Sequence, residues 1–190
     1  GAHELRFVGT VASPGGDTAT AFDSIRLASA GASSFGTLPD STFLEIAPGA
    51  TLDLNGTRQT LSGISGSGFI TNGTAIVTGT IAPGGTNVIG TLTLPTAPSL
   101  SGTLLIDVAQ DGSSDLLQVG GALDLSGLTL QIQDTNQLKP SAPYLIATCT
   151  PGSLTGRFTS TNLGTRRAVS YDNVNGRVRL ISTGLLISIF

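Results

Sequence analysis

The chain has 190 residues, enough for one sizeable domain and too few for two unless both are small. Its 26 Gly, 26 Thr and 20 Ser leave little of the Glu, Lys, Ala, Gln and Arg that cover helix surfaces, so helices are expected to be nearly absent. Only 11% of residues are charged against 39% hydrophobic, with a net charge of −3, which excludes a disordered chain and argues against a nucleic-acid-binding one.

Residues 1–49 hold less regular strands, at Glu4 to Val8, Ser24 to Leu27 and Thr42 to Ile46, joined by small-residue loops. They read as an N-terminal β section, a cap or interaction segment, ahead of a more regular body over 50–190. From Ala50 onward the spacing tightens, and strands are expected near 51–54, 60–64, 68–71, 75–81, 90–94, 102–108, 115–119, 122–125 and 127–132. Leu52-Asp53-Leu54-Asn55-Gly56 and Leu128-Thr129-Leu130-Gln131-Ile132 show the period-two alternation of a strand with one face buried.

Sharp corners separate these strands. Asn55-Gly56, Asn72-Gly73 and Asn175-Gly176 tolerate positive φ, while Pro48-Gly49, Pro83-Gly84 and Pro151-Gly152 suit turns with a fixed first φ. Strand-plus-turn units recur at roughly 8 to 12 residues without a strict repeat, as in a β-sandwich or a solenoid. Short strands and abrupt corners favour an all-β solenoid of about 20 residues per coil. The ends of such a rod are open sheet edges that need a cap or a partner.

No apolar run approaches the roughly 18 to 20 residues of a membrane helix, so none is expected. The nearest candidate, Leu185-Leu186-Ile187-Ser188-Ile189-Phe190, has the length of one strand. Cys149 follows Leu145, Ile146 and Ala147 and reads as a buried, inert thiol; being single, it excludes an internal disulfide. The chain lacks Met and reads as a processed product or an excised fragment, compatible with removal of a secretion signal.

Leu52-Asp53-Leu54-Asn55-Gly56-Thr57-Arg58-Gln59-Thr60-Leu61 followed by Ile64-Ser65-Gly66-Ser67-Gly68 resembles the autotransporter-associated β-strand repeats of bacterial surface proteins. Gly79-Thr80-Ile81-Ala82-Pro83-Gly84-Gly85, running on to Ile89-Gly90-Thr91-Leu92-Thr93-Leu94, is similar to their usual continuation. Gly102 to Val108, Ser114-Asp115-Leu116-Leu117, Val119-Gly120-Gly121, Tyr144-Leu145-Ile146, Leu154-Thr155-Gly156-Arg157-Phe158 and Tyr171-Asp172 resemble the block that closes such passengers. The resemblance covers about residues 50 to 181. It implies a right-handed parallel β-helix at or outside the bacterial cell surface, with no catalytic residues. No cofactor is expected.

The residues offer little chemistry of their own. Asp107, Asp111, Asp115 and Asp124 lie close in sequence and on stacked coils can converge, as acid pairs do in polysaccharide-cleaving β-helices. Turn capping is the stronger reading for Asp111-Gly112 and Ser114-Asp115, ahead of calcium binding near Asp107 to Asp115, which wants six to eight oxygens. His3 is the only histidine and sits at a chain end, a poor base for a Ser-His-Asp triad. Gly63, Gly66 and Gly68 have no following helix to make a phosphate site. Asn55-Gly56-Thr57 and Asn72-Gly73-Thr74 match glycosylation acceptors but coincide with turns.

Charge is unevenly spread. Five arginines against one aspartate after residue 150 give +4, and four cations against eleven acids before it give −7. That asymmetry suggests head-to-tail association into an open filament. Its candidates are Leu5 and Phe7 in the first strand, Arg166 and Arg167 in the basic part, and Leu185, Leu186, Ile187, Ile189 and Phe190 in the last, through strand exchange or donation. The expected function is a non-enzymatic, extracellular structural or adhesive β-solenoid, self-assembling or bound to a surface or glycan ligand. The alternative is a carbohydrate-active or glycan-binding β-helix using an Asp-lined groove.

Overall fold

The computed structural model describes residues 25–26, 38–95, 97–139 and 142–183. In chain order the first strands are β1 (Ile25–Arg26), β2 (Phe43–Ile46), β3 (Thr51–Asp53), β4 (Arg58–Gly66), β5 (Phe69–Thr71) and β6 (Thr74–Pro83). Then come β7 (Thr91–Leu94), β8 (Ser99–Leu100), β9 (Gly102–Ile106), β10 (Leu116–Val119), β11 (Leu123–Asp124) and β12 (Leu128–Ile132). The last are β13 (Tyr144–Thr148), β14 (Leu154–Thr155), β15 (Arg167–Asp172) and β16 (Arg177–Ser182). The fold is all-β; Thr135–Gln137 forms a single 3-10 turn, and among the described residues no helix is long and apolar enough to cross a membrane.

Two large sheets dominate. One has the order β1-β3-β5-β7-β10-β13-β16-β15 and the other β12-β9-β6-β4-β2, with β8 beside β6; β11 and β14 form a small third sheet. From β2 to β7 the chain passes from one large sheet to the other at every strand, and each return pairs in parallel with the strand two before it. β2 lies before position 50 and pairs with β4 beyond it.

Parallel register stacks like on like. Leu44 pairs with Ile64, Ile64 with Ile81, Ile81 with Leu104 and Leu104 with Leu130, and the last four side chains are fully buried. The opposite sheet repeats this with Leu52 on Ile70 and with Leu92, Leu117 and Ala147 in one row, which Val178 of the antiparallel β16 extends. Burial of these rows on both sheets forms a single apolar core.

Turn residues do what their chemistry allows. Gly49, Gly84 and Gly152 after the three prolines take φ of 79°, 79° and 81°, and Asn55 and Asn72 sit at 50° and 51°. Sequence separation across hydrogen-bonded neighbours is not constant. It is 17 from Leu61 to Thr78, 24 from Val77 to Ser101 and 31 from Leu128 to Thr159.

The parallel order ends at the C-terminal side. β16 runs antiparallel to β13, and β15 runs antiparallel to β16 through the Asn173-Val174-Asn175-Gly176 turn. On the other sheet, Asn162 closes β12: its carbonyl accepts from Ile132 N at 2.8 Å and its amide donates to Ile132 O at 2.8 Å. A side-chain amide thus satisfies both backbone groups of an edge residue.

Candidate functional site

The four clustered aspartates separate into two kinds. Asp111 and Asp124 accept from the backbone amide two residues on, Ser113 at 2.8 Å and Ser126 at 2.9 Å, and Asp53 and Asp134 do the same with Asn55 and Asn136. These are turn-forming contacts. The Ser113 hydroxyl, then its amide, hold the Asp111 carboxyl below the usual carboxylate range.

Asp115 is different. Alternation through Asp115-Leu116-Leu117-Gln118-Val119 turns Asp115 inward with Leu117 and Val119, and it is 0% exposed. Its Oδ1 accepts from Gly90 N and its Oδ2 from Asp107 N, both at 2.8 Å. Asp115 N donates to Asp107 O, and Val108 and Ser114 form an isolated antiparallel bridge, so 107–115 is a small hairpin within a mainly parallel body. Burial pushes the Asp115 carboxyl up to about 7; the two amides oppose the rise, and the like charge of Asp107 adds to it.

Asp107 is also buried, at 8% exposure. The two acids therefore do converge, around backbone amides inside the protein. Among the described residues no group of three or more His, Cys, Asp or Glu side chains is placed to hold a metal ion. Cys149 is buried, which pushes its thiol up.

The basic C-terminal part forms a second cluster. Arg179 reaches Asp172 at 3.7 Å, and Arg157 lies over the Tyr171 ring, 4.8 Å from its centroid. Asn175, through its side chain and amide, and then Arg179 hold the Asp172 carboxyl below its ordinary value. Arg166 is exposed. Arg167 is half-buried: its guanidinium sits 5.6 Å from the Tyr144 ring and donates to Ala142 O at 2.8 Å, while Nη2 is buried without a hydrogen-bond partner. The Tyr144 hydroxyl accepts from Lys139 N at 2.7 Å and lies 3.1 Å from Ala109 O, joining two loops.

Leu5, Phe7, His3, Leu185, Leu186, Ile187, Ile189 and Phe190 lie outside the described residues. The inward acid Asp115, the Tyr144 hub and the Asn162 edge closure were not anticipated from sequence. Only Asp115 had a signal, since period two from Leu117 and Val119 already points it to the core. No family model, curated protein or solved structure matches the chain.

Proposed function

We propose that the chain is a length of right-handed parallel β-helix that serves as a non-enzymatic structural and adhesive scaffold outside a bacterial cell, of the autotransporter passenger kind. The observation that carries this reading is the strand-by-strand alternation between two parallel sheets, with Leu44, Ile64, Ile81, Leu104 and Leu130 stacked in register. The surface assignment rests on the resemblance of residues 50 to 181 to the bacterial repeats.

The acids favour a scaffold over an Asp-lined groove. Asp115 spends both oxygens on backbone amides out of solvent, and Asp111 and Asp124 are engaged in their own turns. A general acid and base working on a polysaccharide need free carboxyls facing a cleft.

Self-association is part of the proposal. Among the described strands β15 is a sheet edge, and the +4 charge of residues 151–190 complements the acidic remainder. Eight strands at ~4.8 Å make the longer sheet about 34 Å across its strands. Small-angle scattering and electron microscopy of the concentrated protein test this, with rods joining end to end into filaments as the expected result. A monodisperse monomer that deletion of 185–190 leaves unchanged overturns the assembly. Polysaccharide turnover abolished by Asp107→Asn overturns the scaffold.

A further inference from the structure

Three Asn-Gly pairs, Asn55-Gly56, Asn72-Gly73 and Asn175-Gly176, form corners of this fold. In such a pair the glycine amide, once it loses its proton, can attack the asparagine side-chain carbon, because a residue without Cβ leaves the approach open. An amide that donates a hydrogen bond keeps its proton and its position. Gly56 N donates to Asn72 O and Gly176 N to Asn173 O, and in the related Asp111-Gly112 pair Gly112 N donates to Ala109 O. Among the described residues Gly73 N donates to none. Asn72 is exposed and sits at φ of 51°, and its Nδ2 donates to Asp53 Oδ1 at 3.0 Å. The same oxygen accepts from Asn55 N at 2.7 Å, so one carboxylate ties the corners that follow two paired strands. The fold itself fixes the pair: asparagine is among the few side chains that tolerate this φ, and a Cβ on Gly73 would meet Leu54 Cβ and Thr57 O, each at 2.5 Å.

We propose that Asn72 is a self-modification site, at which Gly73 N closes a succinimide that water opens to aspartate or isoaspartate. Gly73 N gives up its proton and bonds to Asn72 Cγ; the Cγ–Nδ2 bond breaks, and ammonia leaves with a proton in return. Water then adds to either ring carbonyl. Breaking the bond from Gly73 N to Cγ leaves aspartate, and breaking the bond from Gly73 N to the main-chain carbonyl carbon leaves isoaspartate, whose backbone runs through Cβ. Nothing is oxidised or reduced. The swing that brings Gly73 N to Cγ turns the peptide whose carbonyl accepts from Gly56 N, so reaction at Asn72 releases Gly56 N and makes Asn55 the next to react. The product also replaces a donor to Asp53 with a second carboxylate beside it, a repulsion that loosens the two corners.

Peptide mapping by mass spectrometry of the full chain aged in mildly alkaline buffer, folded and in concentrated urea, tests the site. In urea the three pairs should convert at similar rates. Folded, Asn72 should convert first, on the order of five- to tenfold faster than Asn55 or Asn175, the margin that one backbone hydrogen bond supplies. Conversion of Asn55 or Asn175 ahead of Asn72, equal rates in the folded chain, or no conversion of folded Asn72 overturns the site. The aged form, separated from fresh protein by anion exchange through its added charge, should unfold at lower urea; equal midpoints overturn the loosening.

Discussion

Gly84 and Gly85 are adjacent, both at positive φ, and have opposite surroundings. A Cβ on Gly85 meets nothing within 4 Å, whereas one on Gly84 lands on Val88 O. Gly85→Ala should therefore cost only the backbone strain of about 1 kcal/mol, and Gly84→Ala about 3 kcal/mol or more in urea melts. Phe43 shows the reverse use of a glycine. Though 55% exposed, its ring covers Gly63 in the paired strand, where a Cβ would meet Phe43 Cδ2 at 2.6 Å. At Asp115 the folded-state pKa lies above the unfolded one, so the folded protein binds the extra proton between about pH 4 and 7. The stability this residue contributes is full below about pH 4 and is lost as pH rises through about 7. Wild type should lose stability over that window relative to Asp115→Asn; parallel pH profiles from chemical denaturation would refute the assignment.

Strands of the parallel body were legible because each has a buried row and a turn that its own residues dictate. Leu128-Thr129-Leu130-Gln131-Ile132 predicts its pattern, and β12 buries Leu128, Leu130 and Ile132. Leu104→Ala removes a fully buried member of the Leu44-to-Leu130 row and should cost about 2–5 kcal/mol in thermal or urea melts. β15 was not legible: every residue of Arg167–Asp172 is only half-buried, so no alternation marks the strand. The same holds for Asn162, whose task arises from a backbone 30 residues away. Asn162→Ala leaves Ile132 without its side-chain partners and should cost about 1–3 kcal/mol, read from the midpoint of a urea melt.

At the scale of the whole molecule, the varying separation between stacked strands explains why no fixed repeat is visible in the sequence. Parallel pairing demands equal height and like faces, while the connection is free to lengthen, and loop closure entropy rises slowly with length. The extra residues appear as β8, the 107–115 hairpin and β11. The antiparallel β15–β16 hairpin then covers β13, and removing residues 154–190 would expose the β13 and β12 edges. Such a truncation should aggregate in light scattering where the full chain does not. The proposed filaments, joined by the basic and acidic parts, should dissociate as ionic strength rises, since contacts between exposed charges are screened.

Composition, period-two alternation and the Asn-Gly and Pro-Gly corners determined by themselves that the described residues are all-β, nearly helix-free and built of short strands, because each is a local property of a few consecutive residues. Only the tertiary structure decided which strands pair, where parallel order gives way to the β15–β16 hairpin, and that Asp115 binds Gly90, 25 residues away. Those outcomes depend on what lies one strand over, and connections of varying length leave no regular sequence spacing from which to read that neighbour.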